Sequence, residues 1–456
     1  MPQRRRATAR GGLAGVLALA LVLAACGGGD DEKTTSSTQS PTALTASFRG
    51  VTADSIKIGV TIVDYSKIAQ FVDFNRGNQQ ELVQILIDDI NANGGVGGRK
   101  LVPVYKTYNP ITNAEPLQIC TALTEDDKVF AVLGVFIDFS GDAQLCLTRD
   151  KETIHIGHEL QRSWIEQAPE GLLLTPDITQ ERRIEVLMKA LGEEGTLEGK
   201  KVGVLTSLES EKVVDDVIAP ALDELKVDKG SVGVLSIAGT DTAAAQAQLD
   251  SFIEKWKDER ITALILSSQF VAGGKQFVEK IKGALPDLQL LTDVTAGTSQ
   301  AAQDYVGAGQ PNPYEGIITV DGEPAVDRWA RNSPKLKHCR DVYEQKTGTK
   351  IIGPAEIEPG PDGKRVEIYV AIVDFCGELY MFKDIAEKVG PNLTNDAWVS
   401  AVNNFGTIDL VSAKLASLKK GKYDAEDGFR LQAFDSSIEP NGDWKGLTQI
   451  IDTAKA

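Results

Sequence analysis

Strand-length apolar runs alternate with helix-length amphipathic segments along most of this chain, and no other feature limits its fold as tightly. Residues 56–62 form a buried-strand run, and 79–93 carry Leu82, Val83, Leu86 and Ile90 at helical spacing before stopping at Gly94-Gly95. The pattern then predicts a strand over 101–105, a helix over 113–124 and a strand over 129–135. A helix over 141–150, with Ser140 as its N-cap, precedes a short strand over 153–156. Such a β-α-β-α-β-α-β series calls for a parallel sheet with helices on both faces. After Thr175-Pro176-Asp177 the rhythm restarts: a helix over 180–191, then strands over 201–205, 231–236, 261–266, 288–291 and 316–320. Long helices are predicted over 334–346 and 365–389, and the second is apolar nearly all round, so it should be buried. The tail from 391 is mixed, and Asn441-Gly442 predicts a hairpin within 435–448. The fold class is α/β, with two doubly wound parallel-sheet lobes.

The N-terminal residues fix the compartment. Arg4, Arg5, Arg6 and Arg10 lead into fifteen apolar or small residues, 11–25, too few to span a bilayer as a helix. Residues 1–25 therefore read as a signal peptide. They end in Leu23-Ala24-Ala25-Cys26, which is similar to a bacterial lipobox, where the cysteine thiol is acylated and becomes the first mature residue. A Gly/Asp/Ser/Thr-rich segment follows, too poor in apolar residues to fold, and 26–53 is expected to be a flexible tether behind lipidated Cys26. Four of the 48 Lys and Arg residues lie in the signal, leaving 44 against 65 acids and a mature charge of −21. Nucleic acid and anionic lipid surfaces are poor partners for such a chain. No second stretch reaches the roughly 18 apolar residues of a membrane helix. The nearest, 369–382, is broken by Asp374 and Glu378.

Two phrases carry a family resemblance. Ile56-Lys57-Ile58-Gly59-Val60 opens the first strand, and the helix after it ends in Ile90-Asn91-Ala92-Asn93-Gly94-Gly95-Val96-Gly97-Gly98-Arg99-Lys100. Together with Val129 to Gly134, Gly199 to Val204, Glu315-Gly316-Ile317 and Asn441 to Trp444, they resemble the leucine/isoleucine/valine-type, or type I, periplasmic binding proteins of ABC transporters. The resemblance covers about 54–450 in the right order. The glycines also have a local reading, as a helix C-cap and a turn needing positive φ. A phosphate loop would want Ser or Thr where Leu101 stands.

The resemblance implies two lobes joined by three crossover hinges, placed near 175–177, 316–320 and 389–393. Lobe one is then 54–176 plus 320–391, and lobe two 177–319 plus 392–456. Without Cys26 four cysteines remain, and in an oxidising compartment an even set suggests two disulfides. Cys120 and Cys146 sit on helices flanking one strand, which right-handed crossovers place side by side; Cys339 and Cys376 sit on successive helices of lobe one's return. The pairs expected are Cys120–Cys146 and Cys339–Cys376.

Ligands of open parallel sheets sit beyond the strands' carboxyl ends. In amino-acid-binding relatives the loop after the strand over 129–135 holds the ligand carboxylate; here Asp138, Phe139 and Ser140 occupy it. Ser140 fits that role, whereas Asp138 and Asp142 would repel an anion, a departure that puts a simple branched-chain amino acid in doubt. His158 and Glu159 follow the next strand as candidate polar contacts, and His155, three positions back, faces the other side and should be packed. No metal is expected there. Asp177, Glu209, Asp293 and Thr295 are the candidates near the hinge and in lobe two, with acids suited to an ammonium group. Tyr65, Phe71 and Phe74 could pack on the ligand. No Gly-x-Ser-x-Gly elbow or other catalytic constellation stands out, and no cofactor is implied. The expectation is a receptor that closes on a small zwitterionic or cationic solute and delivers it to ABC permease subunits, anchored on the outer face of the cytoplasmic membrane. A lipoprotein sensor reporting to a membrane receptor or kinase is the alternative.

Overall fold

The structure is a computed structural model and describes residues 44–454 except 70, 71, 73, 111, 113, 138, 139, 237–241 and 362. The signal segment and Cys26 lie outside the described residues. Residues 44–53 are not tether, however. Arg99, 1% exposed, donates to the carbonyls of Thr45, Thr52 and Pro391, and the Ser47 hydroxyl donates to Leu393 O at 2.8 Å. A buried guanidinium needs several acceptors, and this segment supplies two of them.

Lobe one begins with β1 (Ser55–Val63), α1 (Gln79–Ala92) and β2 (Lys100–Tyr108), followed by β3 (Ala131–Leu133), β4 (Ile154–Ile156) and β5 (Leu173–Leu174). All pair in parallel in the order β2-β1-β3-β4-β5. Asn78 caps α1 through Glu81 N, and Leu82, Val83, Leu86 and Ile90 bury its inner face. Gly95 has φ +71°, and a Cβ there would lie 2.1 Å from Arg99 O, so only glycine fits this turn. The helix expected over 141–150 is α-helical only at Asp142–Leu145, continues as a π turn, and is capped by Gly141 at φ +75° in place of Ser140.

The chain enters lobe two through Thr175 to Asp177 and forms α2 (Gln180–Glu193), β6 (Lys201–Ser207), β7 (Asp228–Leu235), β8 (Ala263–Ser267), β9 (Gln289–Thr292), α3 (Ala296–Gly307) and β10 (Ile318–Asp321). Its first five strands repeat the winding of lobe one, β7-β6-β8-β9-β10, all parallel. The second crossing therefore follows β10, a few residues later than expected.

The chain then returns to lobe one with α4 (Pro334–Thr347), α5 (Ile368–Val389) and α6 (Asn395–Asn403). The predicted start of α5 at 365 is corrected, because Arg365–Val366 pairs with Phe74–Asn75 as a short parallel strand. The third crossing is corrected further. It lies at Asp424–Asp427, not at 389–393, since Leu393, Trp398, Ile408, Val411, Leu418 and Ala425 all pack into the lobe-one core with Phe130 and Phe382. Beyond it, β11 (Gly428–Asp435) and β12 (Asp443–Gly446) form the expected hairpin and add two antiparallel strands to one edge of the second sheet. Both lobes are packed on both sheet faces. The disulfides Cys120–Cys146 and Cys339–Cys376 are formed.

Candidate ligand-binding cleft

In each lobe the 2-1-3-4-5 order puts a topological switch point between the first and third strands, which opens a crevice at their carboxyl ends. Gly134, just past β3, permits the close approach there: its φ is +110°, and a Cβ would lie 2.5 Å from Thr61 O and Oγ1. The three crossings bring charged side chains to the same region.

His158 is the centre of the lobe-one side. Its Nδ1 lies 2.7 Å from Asp177 Oδ2 on the first crossing, and its Nε2 lies 3.1 Å from Glu378 Oε1 on α5. The second contact has ion-pair distance without hydrogen-bond alignment. Burial by itself would favour a neutral imidazole, but the charges of Asp177 and Asp374, the hydrogen bond to Asp177 and the nearby Glu378 carboxylate hold His158 well above its ordinary value. In return His158 holds the Asp177 carboxyl low against its own burial. Glu378, whose side chain is 1% exposed, is pushed up to about 7 by burial, even with the imidazole beside it. Glu159 takes a left-handed φ of +57° and stays exposed to water while protein surrounds it, which raises its carboxyl.

On the lobe-two side Gln180 of α2 donates to Asp293 Oδ2 at 2.8 Å, and Arg183 donates to Thr295 Oγ1 at 2.9 Å. Asp293 is 3% exposed, and burial lifts it to about 6. Arg183 feels Asp321, Glu426, Asp177 and Asp293 together, and their charges outweigh its burial. Glu426, on the third crossing, is lifted to about 8 by burial and by Asp321.

His158, Glu159, Asp177, Asp293 and Thr295 thus gather around one cleft. Ser140 instead turns toward its neighbour, its hydroxyl 2.8 Å from Asp142 Oδ2. Phe74 lies at the edge, its ring under Arg76 at 4.3 Å and beside Tyr65 at 5.6 Å. Asp138, Phe139 and Phe71 lie outside the described residues. Glu209 sits on the turn Leu208–Ser210 after β6, and its side chain is also outside the description. His155 is fully buried with Nδ1 3.2 Å from Val132 O, and burial lowers it to about 4.

Asp374, Glu378, Arg183, Asp321 and Glu426 escaped the sequence reading as site residues. For two of them the signal was present: Asp374 and Glu378 stand four apart within the otherwise apolar stretch 369–382 of α5, hence on one face of it.

No family model and no curated relative matches the sequence. Solved structures do. The solute-binding protein of an ABC transporter from R. palustris in complex with 4-hydroxybenzoate superimposes with a TM-score of 0.61 at 14% identity, over 88% of this chain and 98% of that one. A fatty acid ABC transporter substrate-binding protein from Thermomonospora curvata gives 0.59 at 14%, covering 89% and 94%. The branched-chain amino acid transporter substrate-binding protein from Streptococcus pneumoniae, in complex with isoleucine, gives 0.56 at 15%, covering 88% and 100%. The chain has the type I periplasmic-binding-protein fold.

Proposed function

We propose that this protein is an extracytoplasmic solute receptor, a binding protein and not an enzyme. It takes a small polar ligand between its lobes and presents it to an ABC importer. The observation that carries the reading is the convergence of charged groups from both lobes and all three crossings on the carboxyl ends of two identically wound sheets. Acids outnumber bases in that cleft: Glu159, Asp177, Asp293, Asp321, Asp374, Glu378 and Glu426 face His158, Arg183 and Arg328. A ligand carrying an ammonium group offsets the excess, so the class proposed is a zwitterionic or cationic solute, such as an amino acid, amide or amine. Ser140, Asp138, Phe139, Phe74 and Glu209 remain proposed contacts.

Lobe closure about the three thin connections is the mechanism, because a ligand bridging two rigid cores has differential affinity for the closed state. Acylated Cys26 tethers the receptor to the outer face of the cytoplasmic membrane, where several acyl chains hold firmly. A thermal-shift screen of amino acids, amides, amines and aromatic acids tests the class. Scattering with and without the best hit tests closure. A hit that leaves the radius of gyration unchanged would count against closure, and one that binds equally well to Glu159→Ala and Asp293→Ala would mean that the site is elsewhere.

A further inference from the structure

One ion pair joins the lobes through residues that belong to none of the three connections. Arg365 Nη1 of lobe one donates to Asp304 Oδ1, in the last turns of α3 in lobe two, at 2.9 Å. The side chains are 12% and 22% exposed, so water screens the pair only in part. Among the described residues the other ion pairs between lobes sit at the crossings: Arg162 with Glu185 beside the first, Arg430 with Asp327 at the second, Arg182 with Asp424 at the third. Arg365 and Asp304 are carried by different lobes and by none of the crossings, so a rotation of one lobe against the other separates them.

Both ends are anchored within their own lobes. Arg365 is fixed by the strand pairing of Arg365–Val366 with Phe74–Asn75, and Glu367 N donates to Asn75 O at 2.8 Å. Glu367 in turn pairs with Arg76, whose guanidinium lies 4.3 Å from the Phe74 ring centroid. Asp304 accepts from Gln300 Nε2 at 2.9 Å and pairs with Lys275, both of lobe two. Two rigid mounts facing across a moving joint are what a reversible clasp requires.

We propose that Arg365 and Asp304 form a latch that holds the two lobes together before any ligand arrives. A latch of this kind raises the closed fraction of the empty receptor and slows ligand release. It rests on the hinge motion proposed above but on no particular ligand.

The test needs none either. Dyes at exposed Leu117 in lobe one and Val232 in lobe two report the interlobe distance in single ligand-free molecules. Arg365→Ala and Asp304→Ala should each raise the open-to-closed ratio about fivefold, the scale of a partly exposed ion pair. The double variant should add nothing to either single one. Lys280→Ala is the control: it removes an ion pair with Asp250 that lies wholly within lobe two and does not involve Asp304, and it should leave the ratio unchanged. A parent that samples two distances in proportions that Arg365→Ala does not alter removes the latch alone, as does an equal opening in Lys280→Ala. One fixed distance in every variant removes the hinge motion itself.

Discussion

Replacing His158 by alanine tests the charge pattern of the cleft most directly. The imidazole gives up a 2.7 Å bond to Asp177 and a 3.1 Å contact with Glu378. Breaking a fully buried ion pair costs about 3–5 kcal/mol, because the survivor is left charged and dry. Neither survivor here is held to that extreme. Asp177 is 28% exposed and can rehydrate, and Glu378, already lifted to about 7, can take up a proton near neutral pH. What remains is one charge-assisted hydrogen bond and some packing, about 2–3 kcal/mol. At roughly 2–4 °C per kcal/mol for a domain of 150–250 residues, the melting temperature should fall about 5–10 °C. The pH dependence carries the sharper test. A histidine whose folded value is raised stabilises fully below its unfolded value of about 6.5 and loses that contribution as pH climbs through the folded value. The gap between parent and His158→Ala should therefore be widest at pH 6 and narrow toward alkaline pH. Melts that show the same gap at pH 6 and at high pH would refute the imidazolium pairing.

Three further outcomes follow from the same geometry. Glu426→Gln should match the parent at pH 5 and exceed it by about 2 kcal/mol or more at pH 9, because a carboxyl lifted to about 8 costs stability as pH rises through that value; melts at both pH values check it. Gly134→Ala should cost about 2–4 kcal/mol in denaturant titration, since its backbone is left-handed and its Cβ would strike Thr61. Replacing Cys120 and Cys146 together by serine should cost about 3–4 kcal/mol through the closed loop of 26 residues, and unchanged unfolding midpoints would show that the loop is held by packing alone.

Why some of this was legible in the sequence and some was not has a physical basis. Burial patterns survive in sequence because they repeat: the strand over 56–62 and the helix over 79–93 each bury several residues at a fixed spacing, so their limits fall close to Ser55–Val63 and Gln79–Ala92. The crossings have no such period. Residues 393–425 hold one short helix, a pair of two-residue strands and irregular stretches, and only three-dimensional packing places Trp398 and Val411 in the lobe-one core. The hairpin at Asn441-Gly442 was readable, but its joining the second sheet through β11 against β10 was not. His158, Asp177 and Asp293 were reachable because each follows a strand or opens a lobe. Glu378 left only its spacing from Asp374 as a signal, because its helix runs past the cleft and contact with His158 is what makes it part of the site.

The crossings themselves carry the acids. Asp177 stands on the first, Asp321 enters the second and Glu426 lies on the third, and each adds to the negative field at Arg183. These carboxylates repel one another: Asp321 and Asp177 both raise Glu426, while Arg183 and Arg328 oppose that rise. A backbone that bends at these three places must change the distances among these same charges. Under the closure proposed above, lobe geometry and charge are thus one variable. A cation entering the cleft lowers the energy of the arrangement that brings the acids together, and a proton taken up by Glu426 does the same. Binding of a cationic solute should therefore release protons near neutral pH, where Glu378 and Glu426, at about 7 and about 8, are partly protonated. Calorimetry in two buffers of different ionisation enthalpy would detect that release, and a cationic ligand whose binding heat is the same in both would separate the charge of the crossings from the act of closing.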